Sequence, residues 1–121
     1  MIFIATLLLV AGATIAGLAM FWKNIVAWIK KAVNRLKEAL GRQPKGTRTF
    51  ISRAVDGFKN RSKYYYQKEV TKEWEEYVYT KAVDESEVPA EILAKVNMQN
   101  LGTEVSTTEE LSLQLGVSLN A

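Results

Sequence analysis

The sequence predicts a membrane protein: a single-pass α-helix, then a basic amphipathic helix and a small cytoplasmic α+β domain made of a β-hairpin with short helices. Three observations lead there. Residues 1–22 hold 18 apolar residues and no charge, a run long enough to span a bilayer. Between Lys23 and Arg48 stand eight basic residues and one acid, Glu38, the asymmetry that sets membrane orientation. The remaining 99 residues are polar enough, and few enough, for one small domain.

The first element is the expected transmembrane helix, 1–22. As a helix, Ile2 to Trp22 reaches roughly 31 Å at ~1.5 Å per residue, about the thickness of the hydrocarbon core. No Lys or Arg precedes the run, and it ends in Phe21-Trp22-Lys23, an interfacial anchor rather than the start of a cleaved leader. Ala5, Gly12, Ala16 and Ala19 fall within about 60° of one another on a helical wheel, a small-residue stripe suited to helix–helix packing and so to a homo-oligomer. The positive-inside bias places the N-terminus outside a bacterial-type inner membrane and the C-terminal part in the cytoplasm.

The second element, 23–41, repeats apolar residues at Ile25, Trp28, Ile29, Ala32, Val33, Leu36, Ala39 and Leu40 over an arc of roughly 160°, with Lys30, Lys31, Asn34, Lys37 and Glu38 opposite and Arg35 at the boundary. Gly41 and Pro44 suit its end. Such a helix either lies in the interface, with Trp22, Lys23, Trp28, Lys30, Lys31, Arg35 and Lys37 meeting anionic lipid, or packs its apolar face on the protein itself.

Residues 42–49 read as a linker, and 50–97 as the α+β domain. Phe50, Ile51, Ala54, Val55 and Phe58 keep a helical period. Tyr64-Tyr65-Tyr66 and Trp74 to Val83 read as two strands turning around Val70 to Glu73, with a long helix as the rival. A short helix follows from Pro89 to Val96. Residues 98–121 read as a polar linker and a C-terminal amphipathic strand, because Leu111, Leu113, Leu115, Val117 and Leu119 alternate with polar residues. A helix from Thr108 competes, with Thr107 and Glu110 as a capping box.

Charge divides the tail: 23–68 carries a net of +11 and 69–121 a net of −8. With no Cys and no His, thiol chemistry, thiolate metal sites and the commonest general base are excluded. No catalytic or phosphate-binding motif occurs. Asp84, Glu85 and Glu87 lack the spacing of a calcium loop. Catalytic, cofactor-binding and metal residues are therefore expected to be absent. Lys59 to Lys68 interleaves four cations with three tyrosines, as single-strand binders do, but adjacent strand residues face opposite ways, so nucleic acid is disfavoured. The expected function is a non-enzymatic membrane anchor or assembly protein, homo-oligomeric, presenting its domain to a protein partner and touching anionic lipids. A membrane-perturbing effector or small pore is the alternative, and a tethered nucleic-acid binder a weaker one.

Overall fold

The computed structural model describes residues 3–4, 19–115 and 119–120. One long helix, α1 (Met20–Leu40), lies across a sheet whose long strands are β2 (Gly46–Ala54), β3 (Gly57–Gln67) and β4 (Trp74–Val83). The antiparallel order is β4-β3-β2-β1-β6, where β1 is Phe3–Ile4 and β6 is Leu119–Asn120. A further short strand, β5 (Val105–Ser106), pairs with β2 at Ile51 and Phe50. After β4 come a single 3₁₀ turn at Glu85–Glu87, α2 (Ala90–Asn97) and α3 (Thr108–Leu115).

This architecture overturns the membrane reading. The expected transmembrane helix over 1–22 is replaced, at its described ends, by a strand and by the buried start of α1. Ile4 pairs with Thr47, and Phe3 and Ile4 pair with β6. Phe21 and Trp22 are 4% and 3% exposed and meet edge to face at 4.9 Å, so Trp22 fills a protein core instead of anchoring at a lipid boundary. No helix among the described residues is long and apolar enough to cross a membrane. The single-pass topology, the inner-membrane location and the outside N-terminus lose their basis. Ala5, Gly12 and Ala16 of the small-residue stripe lie outside the described residues, and Ala19 immediately precedes α1, exposed.

The amphipathic helix forms for the reason its sequence gives, but its apolar face is used up on the sheet. Ile25, Val26, Ile29, Ala32, Val33 and Leu36 are buried in one cluster with Ile51, Phe58, Tyr64 and Tyr66, so that face cannot also enter lipid. Gly41 stops the helix at φ 77°, its N–H donating to Lys37 O at 2.8 Å; this left-handed geometry suits glycine.

The expected linker at 42–49 ends at 45, and 46–49 with the expected helix at 50–58 form instead the hairpin β2–β3, paired from Gly46↔Tyr65 to Ala54↔Gly57. Val55 and Asp56 make a two-residue turn, and Gly57 takes φ 136°. Asp56 in the turn and Gly57 directly after it, at a φ that favours glycine, are turn residues, and the ladder closed here outweighs the helical spacing of five apolar residues. β3 and β4 then pair without a bulge from Phe58↔Val83 to Gln67↔Trp74, and the turn around Val70 to Glu73 falls in their connection.

The expected C-terminal strand is corrected over 108–115; 116–118 lie outside the described residues, and Leu119–Asn120 is a strand. Residues 108–115 are helical because a buried hydroxyl cluster pins the start of α3 to β2. Thr107 Oγ1 donates to Thr49 Oγ1 at 2.9 Å, Thr49 N–H donates to Thr108 Oγ1 at 2.9 Å, and Thr107 N–H donates to Thr49 O at 2.9 Å. Leu111 is then wholly buried, while Leu113 remains 77% exposed.

Candidate functional site

Alternation along the strands sorts their side chains into two faces. On β3, Phe58, Asn60, Ser62, Tyr64 and Tyr66 face α1, all buried. Register carries this to β4: Glu75, Tyr77, Tyr79, Lys81 and Val83 lie opposite them on the same side. Tyr64 meets Tyr79 tilted at 5.7 Å, and Tyr66 meets Tyr77 edge to face at 5.5 Å. The core therefore ends at β4, where Tyr77, Tyr79 and Val83 are only half-buried and Lys81 is exposed.

Between α1 and β4 an open cleft of about 450 Å³ remains. Its helix wall presents Asn24, Ala27, Trp28, Lys31 and Arg35, and its strand wall Tyr79, Thr80 and Lys81. Among the described residues three cations line it and no carboxylate does. A small recess continues inward past the buried Asn60, with Lys81 and Glu87 on its wall. The ingredients are an aromatic platform and positive charge. They suit an anionic segment.

The remaining electrostatics are structural. Burial pushes the Tyr66 hydroxyl up to about 12, against the pull of the Arg42 guanidinium 5.2 Å from its ring. Burial likewise raises Tyr64 and Tyr65, the latter also through the Glu76 carboxylate. Asp84, whose carboxylate caps the 3₁₀ turn, is held below the usual carboxylate range by the Ser86 backbone N–H and hydroxyl that donate to it. Lys95 is raised by its bond to Glu110.

Of the residues expected to meet lipid, the fold brings Trp28, Lys31 and Arg35 into the groove. Trp22 goes to the core, and Lys23, Lys30 and Lys37 lie on α1 away from the cleft. The tyrosines of the basic segment 59–68 offer no stacking platform: Tyr64 and Tyr66 face α1 and Tyr65 the other side, each at most 2% exposed. On that outer face Arg48 and Lys63 sit over the Phe50 ring at 4.8 and 4.5 Å, and Glu104 meets Lys63 at 3.3 Å. Sequence reasoning passed over Asn24, Asn60, Tyr79 and Lys81. Lys81 carries the one legible signal, a cation at an inward position of an alternating strand. Among the described residues no acidic cluster could hold a metal ion.

Comparison with protein-family models, curated proteins and solved structures finds no match. What defines this molecule is thus its architecture, a helix laid over an antiparallel sheet with a basic groove at the sheet edge.

Proposed function

We propose that this chain is a non-enzymatic assembly module that takes up an extended, acidic segment of a partner protein in the groove between α1 and β4. One observation carries the reading: among the described residues Lys31, Arg35 and Lys81 line the open part of the cleft without a carboxylate, along a strand whose outer edge no other described strand pairs. Like charges left together in a cleft raise the local potential and draw in opposite charge. Unpaired strand edges accept extended peptides through their own backbone groups. The absence of Cys and His from the sequence removes the usual nucleophile and base, which favours recognition over chemistry.

The test is fluorescence polarisation with the full chain at high dilution and a labelled peptide of alternating Glu and Tyr. Binding is expected to weaken with salt and to fall about tenfold or more in Lys31→Glu with Arg35→Glu. An alternating Lys and Tyr peptide should not bind. Equal binding of the two peptides, or none by either, overturns the reading.

A further inference from the structure

The outer edge of β4 is a long, regular strand edge that no other described strand pairs. It runs ten residues from Trp74 to Val83 with no proline, it pairs with β3 without a bulge, and it exposes Trp74 and Val78 by 45% and 44%. Natural sheets usually blunt such an edge. Which backbone groups it offers follows from the ladder. Lys68 N–H donates to Glu73 O at 2.8 Å, and antiparallel pairing alternates. Glu75, Tyr77, Tyr79, Lys81 and Val83 therefore direct N–H and C=O towards β3. Trp74, Glu76, Val78, Thr80 and Ala82 direct theirs outward.

Any strand added here must place its bonded residues opposite these five, and its side chains must suit both faces. The sequence of β4 itself does so. With two copies antiparallel about a two-fold axis through Val78, Val78 meets Val78, Glu76 meets Thr80 and Trp74 meets Ala82 as hydrogen-bonded pairs. The non-bonded pairs, whose side chains approach closest, are then Tyr77 with Tyr79 and Glu75 with Lys81, each occurring twice on the face towards α1. Shifting the axis to residue 79 opposes Glu75 to Val83 and Tyr77 to Lys81, and both charge pairs are lost. Glu75 is already held on this face, where its Oε2 accepts from the Tyr77 hydroxyl at 3.3 Å. It would bring a carboxylate to the edge where Lys31, Arg35 and Lys81 line the groove without one.

We propose that the segment taken up beside β4 is β4 of a second copy of this chain, joined edge to edge about a two-fold axis through Val78. The inference rests on the reading of the groove as a seat for an acidic extended segment. It makes one sheet continuous through two copies, with both α1 helices on the same side.

Sedimentation and cross-linking of the full chain test it. The protein should sediment as a dimer. Val78→Pro removes an outward N–H that the monomer does not use, a change an edge strand tolerates, and should give a folded monomer. Glu75→Lys and Lys81→Glu should each raise the dimer dissociation constant about tenfold or more, because like charges then stand opposite, and the double swap should restore it. The chain has no Cys, so oxidation of Val78→Cys should yield a disulfide-linked dimer, since bonded pairs bring Cα atoms to about 5.5 Å. Thr80→Cys should not cross-link. A monomer at all concentrations that still binds the Glu and Tyr peptide overturns the second copy but leaves the groove reading standing. A monomer that binds no acidic peptide sinks both. A dimer indifferent to Val78→Pro, or a double swap that restores nothing, rejects this interface.

Discussion

Helix α1 is sealed on one flank and open on the other. Towards β2 and β3, Ile29 and Val33 are fully buried in the cluster that holds Ile51, Tyr64 and Tyr66. Towards β4, the same helix stands off across a cleft lined by Lys31, Arg35 and Lys81. The sheet is continuous beneath both, so the strand side chains make the difference. β3 meets α1 with three large rings, Phe58, Tyr64 and Tyr66, whose burial is favourable in proportion to area. β4 offers Lys81 at the corresponding edge, and an unpaired ammonium resists burial.

The contrast breaks most visibly on the sealed flank. Ile29→Ala should destabilise the chain by about 2–5 kcal/mol, because the neighbouring rings cannot collapse into the space left. Lys31→Ala, two residues further along the same helix, should stay within about 0.5 kcal/mol. Chemical denaturation with a common slope measures both. Equal costs would mean that the two flanks are packed alike.

Alkaline pH attacks the buried rings of β3, Tyr64 and Tyr66 towards α1 and Tyr65 on the other face, by another route. The phenols of Tyr64, Tyr65 and Tyr66 are all raised by burial, Tyr66 to about 12 against an ordinary value of 10.0. The folded state thus favours the neutral ring, while the unfolded chain releases its protons near 10. The stability contributed by these groups is complete below about pH 10 and is lost as pH climbs towards 12. The melting temperature should fall across that window. Tyr66→Phe should make the fall shallower, after an initial loss from the missing bond of its hydroxyl to Arg42 O. A melting temperature flat from pH 9 to 12 would show that these rings are not sealed.

How much of this was legible depends on the range of the interactions. The α1 periodicity is local, and it gives the helix, its buried stripe and its glycine stop from residues 20–41 alone. The partner of that stripe is not local. An apolar face followed by basic residues fits lipid and a sheet equally well, and the uncharged run before Trp22 tilts the reading towards lipid. Trp22 and Phe21 turn out to extend the stripe into the core. The hairpin at Asp56-Gly57 was in plain view, yet the helical spacing of Phe50, Ile51, Ala54 and Phe58 masked it. The C-terminal alternation of leucines misleads for a tertiary reason: Thr49, on a strand nearly sixty residues earlier, supplies the hydrogen bonds that start α3. The groove was half legible. Its helix wall was singled out for its charge and its Trp, but the strand wall depends on register, which no single segment reveals.

The smallest effect sharpens the comparison furthest. If Lys81 is what keeps the flank open, Lys81→Leu should let α1 settle onto β4, with the introduced leucine side chain packing against Trp28 and Tyr79. Little stability should change, within about 0.5 kcal/mol, because an exposed ammonium contributes little and the new contact is partial. The geometry should change more. The Trp28 indole N–H, half-buried at the cleft in the native chain, should shift in a ¹H–¹⁵N spectrum and exchange more slowly, while the buried Trp22 indole stays in place. Binding of an acidic peptide should drop about tenfold, as one of three cations and much of the space are lost together. Lys81→Gln separates the two causes, since it removes the charge but keeps a polar head that resists burial. It should weaken binding without moving the Trp28 resonance. If Lys81→Leu leaves Trp28 unmoved, the opening is set instead by how α1 is held over β2 and β3, and the charge on β4 merely occupies a space that the helix has already left.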